Sequence, residues 1–298
     1  MTSINVNGDA LRYREEGTGE PLVLVHGSAS DSRTWQHQLV PLSKHFRTIV
    51  YSRRYHWPNQ PIPEGVDYAM LQQVDDLKEV LHTLRAMPAH LVGHSYGAFL
   101  CLLLTIQEPH LVRRLVLAEP PAITLFVSSN PKPMEILKLM VTRPPRTAAA
   151  IIKFGVSGVG PARRAIREGD VDTGIRKFGE AVFGRGGYDR LPAGRKAQVR
   201  DNRANVKAEM IGSGFTPLSP WRVRSIATPV LLLTGAQSVP LFHYLIDGLR
   251  ELLPNAVSVT IENASHMMHE DSPTAFNRAV LSFLTESKGI NRGANSVL

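Results

Sequence analysis

A chain of 298 residues with 43% hydrophobic and 20% charged side chains reads as an ordinary globular protein, long enough for one large α/β domain or two domains of usual size. Its single cysteine, Cys101, excludes an internal disulfide and any cysteine-based metal cluster. The formal net charge of +8 permits attraction to nucleic acid, an anionic membrane surface or an acidic substrate. No nucleic-acid motif, aromatic-interleaved basic stretch or long Lys/Arg run accompanies it, so neither a nucleic-acid nor a membrane partner is expected.

Residues 1–10 are polar and lack the basic segment and apolar run of a secretory signal. The longest apolar stretch, 98–106, is far short of a membrane span, so a cytoplasmic location is expected. Residues 4–6 and 10–15 flank Asn7-Gly8, a pair suited to a tight hairpin turn at positive φ. Pro21 leads into 22–25, a continuous apolar run of the kind buried on both faces of a parallel sheet, followed by His26-Gly27-Ser28-Ala29. Residues 31–42 are predicted helical, with Trp35 and Leu39 on one face, and 47–51 form the next strand. The loop Ser52-Arg53-Arg54-Tyr55-His56-Trp57-Pro58-Asn59 falls at the carboxyl end of that strand, where α/β sheets bind ligands. Its arginines and aromatics either touch substrate or pack beneath the loop.

Leu71, Val74, Leu77, Val80, Leu81 and Leu84 give 67–87 a helical period, closed by Pro88. A short strand, 89–92, then gives way through Gly93-His94-Ser95-Tyr96-Gly97 to an apolar helix, 98–106. G-x-S-x-G in a strand-turn-helix setting lifts the serine hydroxyl clear of both elements, which marks Ser95 as a candidate nucleophile. Cys101, among leucines in that helix, reads as a buried, inert thiol. Residues 115–118 are a further strand, ending in Glu119-Pro120-Pro121.

From 122 to 224 the character changes. Prolines interrupt short amphipathic segments at 134–141, 147–154, 171–183 and 193–210, and strands are scarce. Nineteen Lys/Arg against eight Asp/Glu put the whole positive surplus of the protein here, either as a solvated face or as an attractor of anionic or strongly polar substrates. The sheet resumes at 229–233, followed by Thr234-Gly235, a helix at 241–253, a last strand at 256–261 and a closing helix at 273–284. The polar tail, 285–298, is expected to fray.

Three stretches in this order carry a family resemblance: Leu22-Val23-Leu24-Val25-His26-Gly27, the Ser95 turn, and Asn263-Ala264-Ser265-His266-Met267-Met268-His269-Glu270. The chain resembles the α/β-hydrolase family over nearly its whole length apart from the middle third. That resemblance implies a mostly parallel central sheet flanked by helices, with a core of 1–121 and 225–298 and an inserted helical cap, 122–224. It places Ser95 as nucleophile, His266 as base, and the backbone N–H groups of Ser28 and Tyr96 as the oxyanion donors. His269 is the competing base, while His94 and His26 are expected to be structural.

The family's usual acid is missing, because Thr234-Gly235-Ala236-Gln237-Ser238-Val239-Pro240 holds no carboxylate. Glu119 stands where a minority of related hydrolases carry it, with Asp247 and Asp271 as the remaining candidates. The implied reaction is hydrolysis of a small-molecule carboxylic ester or lactone through an acyl-serine intermediate. Carbon–carbon bond hydrolysis, cofactor-free perhydrolysis and a receptor without turnover use the same constellation. No cofactor or metal is implied, since H-E-x-x-H, a phosphate-cradling loop and a dinucleotide fingerprint are all missing from the sequence.

Overall fold

The computed structural model of the protein describes residues 1–253 and 255–286. The Asn7-Gly8 turn joins β1 (Thr2–Val6) to β2 (Asp9–Glu16) as an antiparallel hairpin, and β2 pairs antiparallel with β4 (Arg47–Tyr51). The remaining strands are β3 (Pro21–Val25), β5 (Ala89–His94), β6 (Val112–Ala118), β7 (Val230–Gly235) and β8 (Ala256–Ile261). They run parallel with β4, in the sheet order β1-β2-β4-β3-β5-β6-β7-β8.

Continuous apolar strands are explained by two cores, one on each face. Val23, Leu91, Leu115 and Leu232 point to the side covered by α2 (Met70–Thr83) and α3 (Tyr96–Gln107). Leu24, Val92, Val116 and Leu233 point to the other, where Trp35 and Phe276 of the closing helix, Pro273–Thr285, fill the space. Cys101 is buried in α3 and burial pushes its thiol pKa up, which keeps it protonated.

Strand register fixes the level of the candidate site positions. His94 pairs with Ala118 and Ala118 with Leu233, so Ser95 and Glu119 leave adjacent strands side by side at the carboxyl edge. The turn is tied down by Ser95 N–H donating to Ala118 O (2.8 Å) and Glu119 N–H donating to Leu233 O (3.1 Å).

Between β6 and β7 the chain is helical: α4 (Pro133–Thr142), α5 (Pro145–Lys153), α6 (Gly160–Arg167), α7 (Val171–Phe183), α8 (Gly187–Arg190), α9 (Ala193–Asp201), α10 (Arg203–Ile211) and α11 (Pro220–Arg224). The helix α12 (Pro240–Arg250) follows β7. The span 193–210, predicted as one helix, breaks at Asn202, whose amide donates to Asp31 Oδ2 and Gln198 O while its oxygen accepts the Trp57 N–H. A π-turn, Phe154–Val159, and α6 continue α5 beyond the amphipathic segment 147–154, in a stretch where the sequence predicts no element.

The predicted helix 31–42 is also two pieces, a 3-10 turn (Ser32–Trp35) and the short helix α1 (Leu39–Ser43). Pro41 has no N–H for residue 37, and Asn277 Nδ2 takes the His37 carbonyl instead. Of the tail reading, 287–298 lies outside the described residues.

Candidate active site

Ser95 adopts φ 51° and ψ −121°, a conformation that side-chain-bearing residues rarely hold and that costs on the order of 1–3 kcal/mol. The flanking glycines permit it. A Cβ on Gly97 would overlap the carbonyls of Val25 and His26, and one on Gly93 would overlap the Ala98 backbone. The elbow therefore packs directly against the end of β3, next to the loop that carries Ser28. Ser28, Ser95 and Tyr96 line one cavity of about 460 Å³.

Glu119 is fully buried and also sits at positive φ, 44°. Its two oxygens are both assigned: Oε1 accepts the Gly235 N–H at 2.9 Å, and Oε2 lies 2.6 Å from His266 Nδ1. Gly235 is essential to this approach, because a Cβ there would fall on the carbonyls of Ala264 and Ser265 in the histidine loop. The His266 ring stacks on Phe242 of α12, with centroids 4.1 Å apart and planes at 17°. His266 and Ser95 share a narrow recess with Phe178 and Phe183, and no hydrogen bond joins Ser95 Oγ to the imidazole among the described residues.

The other histidines of this region have structural partners. His94 Nε2 donates to the His266 carbonyl (2.8 Å), and burial, reinforced by His269 and His266, holds its pKa well below the ordinary value. His269 turns away from the cavity, with Nε2 2.8 Å from Thr34 Oγ1 and its ring against Trp35. Burial and then Arg195 depress its pKa, so it too is neutral. His26 Nε2 accepts the Arg53 N–H (2.9 Å). Asp271 accepts from Ser265 N and Oγ, bracing the histidine loop, and Asp247 pairs with Arg250 at 3.6 Å. Neither carboxylate contacts His266. Ser238, at the position of the usual acid, has a buried Oγ without a partner among the described residues.

The loop 52–59 packs rather than lining the cavity. Arg54 makes a buried bidentate pair with Asp76, both bonds at 2.6 Å. Arg53 donates to Tyr68 Oη (3.0 Å), Gln73 Oε1 (3.3 Å), Gly27 O (3.1 Å) and Glu209 Oε1 (3.2 Å). Trp57 is partly exposed and stacks on the Arg33 guanidinium. The cavity wall comes mostly from apolar residues between β6 and β7, such as Ile123, Val127 and Ile151, with α12 contributing Leu241 and Phe242. Tyr68, Arg163 and Glu209 supply polar wall groups that sequence reasoning missed, since nothing local distinguishes them from other surface positions. Among the described residues, no three His, Cys, Asp or Glu side chains group as metal ligands, and no helix is long and apolar enough to cross a membrane.

A serine on a strained strand-helix turn at the edge of a parallel sheet, facing a histidine loop after the last strand, defines the hydrolase class of α/β proteins. The alpha/beta hydrolase family matches residues 22–279, and the chain belongs to it. The chain is 23% identical to the (E)-2-((N-methylformamido)methylene)succinate hydrolase of Acinetobacter baylyi over 291 residues, covering 93% of this chain and 95% of that protein. Among solved structures it superimposes on an enol-lactonase from Burkholderia xenovorans with TM-score 0.67 and 21% identity, covering 96% of this chain and all of that one. The carboxylesterase CesB of Bacillus subtilis gives TM-score 0.67 and 22% identity, covering 97% and 92%. Family and relatives together support an enzyme with hydrolase activity on small molecules.

Proposed function

We propose that the protein is a serine hydrolase that cleaves a carboxylic ester or lactone through an acyl-serine intermediate. The observation that carries this reading is the 2.6 Å contact between Glu119 Oε2 and His266 Nδ1 beside the Ser95 elbow. In this reading Glu119 keeps the Nδ1–H tautomer, which leaves Nε2 to take the Ser95 proton as Oγ attacks the substrate carbonyl. The tetrahedral oxyanion is held by the N–H groups of Ser28 and Tyr96. Collapse expels the alkoxide, which receives the proton from His266. A water, deprotonated by the same nitrogen, then attacks the acyl-serine and releases the carboxylic acid with Ser95 restored. A lactone follows the same steps and releases one hydroxy acid.

Residues 122–224 act as the cap on a core of 1–121 and 225–298, because most of the cavity's apolar wall comes from them. An esterase and an enol-lactonase of the same fold favour ester or lactone as the scissile group. The test is turnover of a p-nitrophenyl ester series by the wild type and Ser95→Ala, with fluorophosphonate labelling located by mass spectrometry. We expect label on Ser95 and a loss of at least about 10³-fold in kcat in the variant. A variant retaining more than about a thousandth of kcat removes Ser95 as nucleophile. A single stoichiometric burst without turnover converts the reading to a receptor.

A further inference from the structure

The cavity carries one cation with no counterion. Arg163, on α6, is half-buried in its wall, and its guanidinium is held by neutral acceptors only. Nε donates to Met210 O at 2.8 Å, and Nη1 donates to Asn130 Oδ1 (3.2 Å) and Ser129 O (3.4 Å). These bonds fix the plane of the group and leave Nη2 unspent. No carboxylate among the described residues pairs with it. Glu209, the other charged side chain on this wall, is engaged by Arg53 instead. Asn130 also lines the cavity, and with its oxygen occupied by Arg163 its amide N–H donors remain available on the same patch.

A guanidinium in fixed orientation beside a second donor is the arrangement that recognises a carboxylate through paired hydrogen bonds. A half-buried charge that meets no partner within the protein gains most from a ligand that brings one. Resting on the serine-hydrolase reading, we propose that Arg163 and Asn130 anchor a carboxylate carried on the acyl part of the substrate. The favoured substrates are then half-esters of dicarboxylic acids, or lactones bearing a carboxylate side chain, whose methylene chain fills the apolar wall between Ser95 and Arg163.

Matched pairs test this: mono-p-nitrophenyl adipate, suberate and sebacate against p-nitrophenyl hexanoate, octanoate and decanoate. Wild type, Arg163→Met and Arg163→Lys are compared at constant ionic strength, with circular dichroism confirming the fold. The wild type should prefer the anionic member of at least one pair in kcat/KM, through KM. Arg163→Met should reduce that preference about 10–100-fold, with Arg163→Lys between the two. Loss of activity on both members in equal proportion, preference intact, would make Arg163 structural and overturn the proposal, as would a wild type without preference. Should no ester be turned over and Ser95 resist fluorophosphonate, the hydrolase reading fails separately. The anchor is then decided by calorimetry with monomethyl suberate, where equal affinity of wild type and Arg163→Met overturns it.

Discussion

Arg53, on the loop after β4, and Glu209, on α10, form an ion pair at 3.2 Å with side chains only 1% and 2% exposed. Burial raises the Glu209 pKa against the pull of Arg53; desolvation weighs most on Arg53, but Tyr68, Glu209, Tyr96 and Tyr51 together leave its pKa raised and the group charged. The pair fastens the helical segment between β6 and β7 to the sheet. Glu209→Leu should therefore leave a buried guanidinium unpaired and destabilise the protein by about 3–5 kcal/mol in urea unfolding, with Glu209→Gln costing less because the amide oxygen still accepts from Arg53.

Glu119 gives a catalytic prediction. If the serine-hydrolase proposal holds, Glu119→Gln keeps the shape but replaces the carboxylate proposed to fix the tautomer with an amide, and kcat should fall by up to about 10⁴. Ser238→Asp in that background should recover part of the loss, since Ser238 stands three residues after the end of β7 with its buried Oγ lacking a partner among the described residues. Steady-state ester kinetics of the single and double variants decide the matter. Near-wild-type turnover by Glu119→Gln would detach the acid role from this residue.

Gly235 allows a more local test. In Gly235→Ala the new methyl meets the Ala264 and Ser265 carbonyls, so the histidine loop must shift away from Glu119. A displacement of about 1 Å at a base costs about 10²-fold in rate, so kcat should drop by that order while far-ultraviolet dichroism stays unchanged.

Buried histidines set the acid limb of stability. Burial holds His26, His56, His94 and His269 well below their ordinary pKa of 6.5 in the folded state. Below that value the unfolded chain binds protons that the folded chain does not, so stability is complete above about pH 6.5 and falls as pH drops. Each such histidine removes up to about 1.4 kcal/mol per pH unit. Glu209, with its pKa raised, acts oppositely above its ordinary value of 4.5. Four histidines outweigh one carboxyl between pH 6.5 and 5, so the melting temperature should fall across that interval. A flat profile would show that these rings do not stay neutral.

The strands were legible because a sheet covered on both faces requires unbroken apolar runs, and Leu22 to Val25 or Val230 to Leu233 leave no other use for such residues. The turn at Ser95 was legible because close backbone packing leaves no room for a Cβ at Gly93 or Gly97. His266 and Glu119 came forward from the family resemblance, and the structure places their side chains 2.6 Å apart. Tyr68, Arg163 and Glu209 were not legible, since their roles arise from contacts between segments far apart in the chain. The same reason hid the break at Asn202, whose side chain finds Asp31 across 171 positions. The arginines of the 52–59 loop were ambiguous by sequence, because Asp76 and Glu209, the partners that bury them, are equally remote.

Because β6 and β7 are adjacent and parallel, the helical segment leaves the carboxyl end of β6 after Ala118 and returns to the amino end of β7 at Val230, whose partner on β6 is Leu115. A segment that begins and ends on adjacent strands can be exchanged as a cassette without re-threading the sheet, provided the upstream splice falls after Glu119 and the downstream splice ahead of β7. Ser95, Glu119 and His266 then stay with the recipient, while Arg163 and most of the apolar wall travel with the graft. Arg53 sets the condition for compatibility: a donor segment must bring a carboxylate to the position of Glu209, or the chimera closes over an unneutralised guanidinium.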